Sequence, residues 1–387
     1  MLTPLSTNKD SMQSNLVMSP VAQGGGAVKQ FEGKTTKYDW AEQLFIELLA
    51  TEDLDNRLDE KAAIIGDFSE ALAKAIRAAY EDGYDDAHLF VQRILYRINR
   101  LKLFWYDDLR HYDNERSLFI AKLLFQIETA WQKWELSQID VDALQQLDVK
   151  QALIQRAAED LDPPLSPESR YIREEMSVSG YRHLLAIGSF DGLVEGSRLS
   201  RILGGAANEV QCTLVRVLLE EYGNGRLSRK HSTFFAAMLG EFGMNTQPEG
   251  YFDLVPWEVL ACANHNFLVT ECKRYFLRYS GGLTYFEVAG PAAYRNYLTA
   301  AQRLNLSDAA MGYWELHIKE DERHGRWMLD DVALSLAEQY PKNAWELVLG
   351  YDQEKLMSDR AAVAVVSSIR EAEQSALVLG EIEKITN

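Results

Sequence analysis

Apolar residues recur every three or four positions along most of the chain from Tyr38 onward. This spacing is typical of amphipathic helices that bury one face. In the first half of the chain it predicts helices that begin near residues 40, 62, 85, 118 and 142. The sequence shows neither a strict alternation of apolar and polar positions nor a repeat of fixed period, so the predicted fold class is all-α.

The same spacing continues through the second half of the chain, where glycine and proline positions interrupt it. Glu195 falls in a short helical piece, and Ser358 is placed to cap the last helix at its N-terminus. The predicted helices cover residues 167–187, 210–221, 231–239, 255–279, a long segment from about 314 to 339, and 358–385.

Two interruptions of the pattern predict the domain organisation. Residues 1–36 are rich in Ser, Gln, Gly and Thr without periodicity, which indicates a flexible tail. Three prolines between Leu161 and Pro167 break any helix and indicate a boundary. The predicted parts are therefore the tail 1–36, a helical region over 37–162 and a helical domain over 166–387. Aromatic residues of the first region favour an interaction surface and a homodimer: Trp105, Tyr106, Trp131 and Trp134.

The formal net charge of the 387-residue chain is -18 at pH 7. So negative a chain disfavours nucleic acid and anionic membrane surfaces as partners. No apolar run reaches the roughly 18 residues that a membrane span needs, and the N-terminus has no signal-like pattern, which predicts a cytoplasmic protein. The cysteines Cys212, Cys262 and Cys272 form no CxxC pair and are expected to be free thiols.

A polar segment in the C-terminal part carries the strongest chemical signal. On a helix, His317, Asp321 and His324 stand at positions i, i+4 and i+7 and share one face, at about 100° per residue. Two imidazoles and a carboxylate on one helix face are typical of metal ligands in helical proteins. An ordinary solvated face is the alternative. Glu320 and Glu322 lie off this face, where exposure or pairing with arginine is expected.

Further ligands are expected from other helices, because a carboxylate in an apolar helix is costly unless it is paired or binds a metal. The candidates are Glu195, Glu221, His231 and Glu287. On a straight helix Glu221 and His231 would lie about 15 Å apart along the axis, too far for one compact cluster. The helix is therefore expected to break or distort between them, at Gly223-Asn224-Gly225.

The other histidines are expected to have structural roles. His88 and His111 stand without a cluster of carboxylates at helical spacing, which favours the surface or a helix end. His183 follows Tyr181-Arg182 near the predicted boundary and is expected at the surface. His265 lies on an apolar helix, where a core histidine is favoured over a position behind the metal ligands.

The seven candidate ligands, in their order along the chain, carry a family resemblance together with the stretches 205–211 (GAANEVQ) and 226–232 (RLSRKHS). They resemble the haem-oxygenase-like di-iron oxidases and oxygenases. The resemblance covers about residues 166–345 and is closest to the N-oxygenases, such as the central domain of the N-nitrosating enzyme of streptozotocin biosynthesis. The helical region that precedes it resembles the dimerising N-terminal region of that enzyme.

The resemblance implies a haem-oxygenase-like bundle in which all seven residues hold two irons, cycling between Fe(II) and Fe(III), with Glu221 as a bridging carboxylate. It implies no catalytic residue beyond these ligands. It also implies O2 as co-substrate and an external electron donor, such as a reductase or a ferredoxin-like protein. The expected substrate is a small amine or amino acid, and the negative charge of the chain suits an arginine-like one.

The expected activity is therefore hydroxylation or further oxygenation of a substrate nitrogen. The N-nitrosating enzyme continues into a cupin domain, whereas this chain ends about 60 residues after His324, so N-oxygenation rather than complete N-nitrosation is expected. One alternative is a desaturase or C–C-cleaving oxidase on the same scaffold, acting on a fatty or amino acid. A second alternative is a helical metal-binding protein without turnover.

Overall fold

The computed structural model describes residues 36–386, with side chains as far as Ser375. These residues lie within one compact unit. They form helices, turns and connecting segments, and no β-strand occurs among them. The predicted all-α fold class is confirmed. The predicted tail lies outside the described residues, apart from Thr36.

The N-terminal helices begin close to where the apolar spacing predicts them. Ser117 caps α4 by accepting a hydrogen bond from the Ile120 N–H. Asp148 caps α6 in the same way through Gln151, so the segment predicted as one helix from residue 142 forms two. The helices are α1 (Asp39–Leu49), α2 (Ala62–Tyr80), α3 (Asp85–Arg100), α4 (Leu118–Leu136), α5 (Val141–Leu144) and α6 (Val149–Leu161).

The C-terminal helices surround one long central helix, α12, which packs against α13 on one side and α15 on another. A π-helical segment, Trp327–Ala333, joins α13 to α14. The helices are α7 (Pro167–Glu174), α8 (Val178–Gly192), α9 (Glu209–Glu221), α10 (His231–Glu241), α11 (Trp257–Glu271), α12 (Phe276–Arg303), α13 (Gly312–Arg326), α14 (Leu334–Gln339) and α15 (Trp345–Thr386).

Two helices predicted as continuous are interrupted. The segment 167–187 breaks before α8, because Ser177 is extended and accepts a hydrogen bond from the Gly180 N–H as an N-cap. The segment 255–279 breaks at Cys272, whose backbone is extended with φ -88° and ψ 100°. Neither break has a glycine or proline at the point of interruption, so the residue pattern does not reveal it.

Two further placements differ from the prediction. Glu195 lies in the turn after α8 and not in a helix. Ser358 does not cap the last helix, because α15 begins at Trp345 and Ser358 lies within it. Gly281 lies inside α12, and a Cβ added there would overlap the Leu347 carbonyl of α15. Glycine therefore permits a close contact between two helices at this position.

Helices from both sides of the predicted domain boundary pack together. In the contact of α3 with α11, the Asn99 side chain donates to Asn264 Oδ1 at 2.9 Å, and Asn264 donates to the Gln92 carbonyl at 2.9 Å. The proline segment after α6 is not helical. The division into a region over 37–162 and a domain over 166–387 stays a prediction.

The aromatic residues of the N-terminal region have different environments. Tyr106 is 89% exposed, whereas Trp131 is fully buried and donates its Nε1–H to Glu135. Trp131 therefore belongs to the core and not to a surface. Homodimerisation stays a prediction. The three cysteines are free, as expected, and no helix in the described part of the chain is long and apolar enough to cross a membrane.

Candidate metal centre

The stripe on α13 faces the interior. His317, Asp321 and His324 are all buried, with the side chain of His324 fully so. The alternative of a solvated helix face is therefore wrong for these three positions. Glu322, which lies off the stripe, is exposed as predicted.

A first group of potential ligands surrounds His317 and comes from four separate segments: Glu195, Glu221, His231 and His317. His317 Nε2 lies 3.0 Å from Glu195 Oε1 and 3.1 Å from His231 Nδ1. His231 Nδ1 lies 2.8 Å from Glu221 Oε2. The other ring nitrogen of His317 donates to the Tyr313 carbonyl at 2.9 Å. That bond orients the ring, so Nε2 faces the group.

A second group surrounds His324 and contains Glu221, Glu287 and His324. His324 Nδ1 lies 3.3 Å from Glu287 Oε2 and 3.7 Å from Glu221 Oε1. Asp321 Oδ1 lies 3.8 Å from the same nitrogen. All seven predicted residues are thus brought to one place, with four in the first group and Asp321 beside the second.

Glu221 belongs to both groups. Its Oε2 faces His231, and its Oε1 faces His324. A carboxylate whose two oxygens face two separate sets of donors can serve both sets.

The predicted break between Glu221 and His231 is confirmed. α9 ends at Glu221, α10 begins at His231, and Asn224 between them has a positive φ of 54°. Gly223 also has a positive φ, and a Cβ added there would lie 2.6 Å from the Arg229 carbonyl oxygen. Glycine is therefore required where the chain reverses and brings the two side chains together.

Small residues let α12 and α13 approach each other at the centre. A Cβ on Gly325 would lie 2.9 Å from the Glu287 carbonyl, and one on Gly290 would lie 3.1 Å from Asp321 Oδ2. Pro291 has no N–H, so it cannot donate to the Glu287 carbonyl one turn earlier. The π-helical segment begins three residues after His324, and such segments are frequent at functional sites.

The ionisable groups at the centre shift one another's pKa values. Burial opposes a charge on His317, but the carboxylate of Glu195, together with those of Asp321 and Glu221, raises the pKa of His317 to about 10. Burial likewise opposes a charge on His324, and Glu287 raises the pKa of His324 to about 10. Burial and the adjacent Glu287 raise the pKa of Asp321 well above its usual range. Carboxylates are thus concentrated here beyond what the imidazoles neutralise, which favours cation binding.

The donor set fits iron. Both carboxylate oxygens of Asp321 are buried at the centre and have no hydrogen-bond partner in the described part of the chain. Buried polar atoms of this kind are expected to have a partner, and a metal ion is one. Imidazole and carboxylate donors together suit iron, which accepts both.

Two supporting residues were not predicted from the sequence. Tyr313 donates its hydroxyl to Glu195 Oε2 at 2.7 Å, and Glu220 Oε2 lies 2.7 Å from His324 Nε2. Arg323 Nη2 also donates to Glu220 at 2.5 Å. Tyr313 stands four residues before His317, one turn earlier on the same helix face, and this spacing was the available signal. For Glu220, the available sequence signal was its position next to Glu221.

Replacing Glu220 with Gln should weaken iron binding at His324, because Glu220 orients this ring from behind. The loss in metal affinity expected for such a partner is about 10- to 100-fold. Iron titration followed by absorption spectroscopy should show weaker binding than in the wild-type protein. Glu322→Gln, on the exposed side of α13, is the matched control. Equal affinities in the two variants would contradict the role of Glu220.

The other histidines were only partly predicted. His88 is buried and stacks on Trp257 at 4.2 Å between ring centroids. His183 is also buried, with Nε2 2.9 Å from Ser368 Oγ. The expectation of surface positions is therefore wrong for both, while His111 is exposed as expected. His265 is a core histidine, and burial lowers its pKa to about 3.

A cavity of about 840 Å³ adjoins the centre. Its size is in the range of small-molecule sites. Apolar side chains from α8 and α12 form part of its wall, including Leu184, Ile187, Leu283 and Phe286. The candidate ligands in the wall are Glu195, Glu221, Glu287, His317 and Asp321.

Comparison with known proteins agrees with the fold and the donor set. Residues 182–353 match the haem-oxygenase-like family described as iron-containing redox enzyme. The matched part contains all seven candidate ligands, six of them on helices or at helix ends and Glu195 in a turn. The match supports an oxidoreductase that uses iron.

A relative is the nitrosourea synthase of Streptomyces achromogenes subsp. streptozoticus, which is 25% identical over 168 residues. The aligned segment is 43% of this chain and 36% of that enzyme. The chain therefore matches only about a third of the length of this relative. The relationship supports the predicted closeness to the N-oxygenases.

Proposed function

We propose that the protein is a non-haem di-iron, O2-dependent oxygenase that hydroxylates or further oxygenates a nitrogen of an amino acid or amine. The observation that carries the proposal is the position of Glu221 between two buried groups of imidazole and carboxylate donors. The match to iron-containing redox enzymes and the relationship to nitrosourea synthase support it further.

The seven side chains would hold the two irons, four around His317 and the rest around His324, with Glu221 shared. Bound iron would supply the reduction of O2 and the transfer of one oxygen atom to the substrate. The overall reaction for one hydroxylation balances as amine, O2, two electrons and two protons giving hydroxylamine and water. The electrons must come from an external donor, for which a reductase or ferredoxin-like protein is proposed.

The residues of the chain have distinct tasks in this scheme. The Tyr313 carbonyl holds the proton on His317 Nδ1, which leaves Nε2 free to bind a metal. The Tyr313 hydroxyl donates to Glu195 and so holds one of its oxygens away from the first group. The cavity beside the centre provides space for a substrate next to Glu287 and Asp321. Burial of six of the seven ligands limits the access of water.

The test is a stopped-flow experiment in which protein loaded with Fe(II) is mixed with O2. With a substrate amine we expect a transient visible absorption, O2 consumption and a product heavier by one oxygen atom. Arginine derivatives and other amino acids with a side-chain nitrogen are the first candidates. The Asp321→Ala variant is the control and should lose at least one iron and the reaction. The absence of both transient absorption and O2 consumption with every amine tested would contradict the proposal.

A desaturase or C–C-cleaving oxidase is the second candidate, because apolar side chains line part of the cavity. A long fatty chain would need an apolar wall throughout. The cavity also contains the carboxylate of Glu354 and the guanidinium of Arg198, which favours a charged substrate. If the protein binds metal without turnover, its Fe(II) form should be stable and should not consume O2 in the stopped-flow experiment.

A further inference from the structure

Glu354 extends from α15 towards α12 at the wall of the cavity. Its Oε2 lies 3.4 Å from the position that a Cβ on Gly282 would take. The missing side chain at Gly282 therefore makes room for the carboxylate. Two close glycine contacts, at Gly281 and Gly350, hold α12 and α15 together at this level, so the position of Glu354 is set by rigid helices and not by a loop.

The carboxylate of Glu354 lacks a protein donor. Within the described residues it forms no hydrogen bond and no ion pair within 4.0 Å, whereas the nearby Lys355 pairs with Asp160 and Arg278 pairs with Glu346. Burial raises the pKa of Glu354 to about 7, and Arg198 opposes this shift. A partly buried carboxylate without a donor is costly unless a ligand supplies the cation.

Arg198 provides the opposite charge on the same cavity wall. It follows Glu195 by three residues and is held by an ion pair with Asp191. A guanidinium has five N–H donors, so the pairing with one carboxylate leaves donors for a second. Arg198 and Glu354 influence each other electrostatically, and the cavity thus presents a cation and an anion together.

The separation between Glu354 and the metal centre along the axis of α12 follows from the helix spacing. Gly282, against which Glu354 lies, and the ligand Glu287 are five residues apart on the helix, which is about 7.5 Å of rise. Leu283 and Phe286 line the cavity between them. An extended chain covers about 3.5 Å per three bonds, so roughly six bonds are needed to span this rise.

We propose that Glu354 and Arg198 bind the α-ammonium and α-carboxylate of an amino-acid substrate and direct its side-chain nitrogen to the metal centre. The proposal rests on the proposed function, since it names the substrate class of the same site. It selects α-amino acids whose side chain reaches as far as that of lysine or arginine and ends in nitrogen. Short amino acids could not reach the centre, and fatty acids would leave Glu354 without a partner.

The experiment measures binding, without turnover, to Fe(II)-loaded protein under anaerobic conditions by calorimetry. The probes are L-lysine, Nα-acetyl-L-lysine, which lacks the α-ammonium, and cadaverine, which lacks the α-carboxylate but keeps both amino groups. Glu354→Gln should weaken lysine binding at least about thirty-fold, as expected when one partner of a buried charge pair is removed. The wild-type protein should bind Nα-acetyl-lysine as weakly as the Glu354→Gln variant binds lysine. In the variant, acetylation of lysine should weaken binding little further.

Arg198→Gln should weaken lysine binding but leave cadaverine binding unchanged. Glu128→Gln is the matched control, because burial raises the pKa of Glu128 to about 7 as well, yet Glu128 does not line this cavity. Unchanged iron content and unfolding temperature would exclude misfolding of the variants. Equal lysine affinity in wild-type and Glu354→Gln protein, undiminished binding of Nα-acetyl-lysine, or binding of decanoate but not lysine would overturn the proposal.

The two proposals fail in different ways. If no nitrogen is oxidised but lysine binds through Glu354, the assignment of the charged pair stands and N-oxygenation is wrong. If amines are oxidised but Glu354→Gln changes neither affinity nor the choice between lysine and its acetyl derivative, N-oxygenation stands and the assignment of the pair is wrong.

Discussion

Replacing Glu221 with alanine is expected to abolish binding of both irons of the proposed centre. Glu221 is the residue that faces both groups of donors, with its two oxygens 2.8 Å from His231 Nδ1 and 3.7 Å from His324 Nδ1. Its loss leaves two incomplete sites. The remaining ligands repel one another less, but each cation is held by fewer donors, and the loss of donors is expected to dominate. Iron per chain after anaerobic reconstitution, measured by mass spectrometry of the metal, should fall from two to near zero.

The other ligand variants provide the comparison. His231→Ala removes a donor of the first group only, and the second iron should remain. Glu209→Ala changes an exposed glutamate at the opposite end of the same helix and should keep two irons. One iron in Glu221→Ala protein would mean that Glu221 serves a single ion, and two would contradict its role as a ligand.

Replacing Gly350 with alanine is expected to destabilise the protein strongly. A Cβ at this position would overlap the Arg278 carbonyl of α12. The obstacle is backbone, which cannot rotate away as a side chain can, so α12 and α15 must separate. Overpacking in a core costs about 1–3 kcal/mol, and a clash with backbone should lie at the upper end, with a fall in Tm of roughly 5 °C or more.

Gly66→Ala is the matched control for this prediction. Gly66 lies in α2 with nothing within 4 Å of the added Cβ, and alanine is favoured over glycine in a helix by about 1 kcal/mol. The same substitution should therefore stabilise α2 slightly and destabilise the contact of α12 with α15. Chemical denaturation of both variants measures the difference. A Gly350→Ala protein as stable as wild type would show that the helices can separate here at little cost.

The centre and the cavity depend on two contacts of the same helix. α12 meets α13 at Gly325, where Glu287 approaches Asp321 and His324. It meets α15 at Gly281 and Gly350, next to Glu354. A disturbance of the second contact should therefore affect amino-acid binding before it affects iron content. Measurements of both quantities in the Gly350→Ala protein would separate the two effects.

The sequence by itself determined the helical fold and the identity of the clustered residues. The stripe of His317, Asp321 and His324 follows from the fixed periodicity of a helix, which needs no tertiary information. The break at Gly223-Asn224-Gly225 followed because side chains ten residues apart on a straight helix cannot converge. Both features depend on local geometry, and local geometry is what residue spacing specifies.

Only the tertiary structure decided how the segments meet. Glu195 reaches His317 from a turn and not from the predicted helix, and Glu220 faces His324 although nothing in its spacing indicated a role. Glu354 lies against Gly282, and the two residues belong to helices far apart in the chain. Such contacts depend on the angles and distances between packed helices, which arise from the whole core, and so the periodicity of one segment cannot predict them.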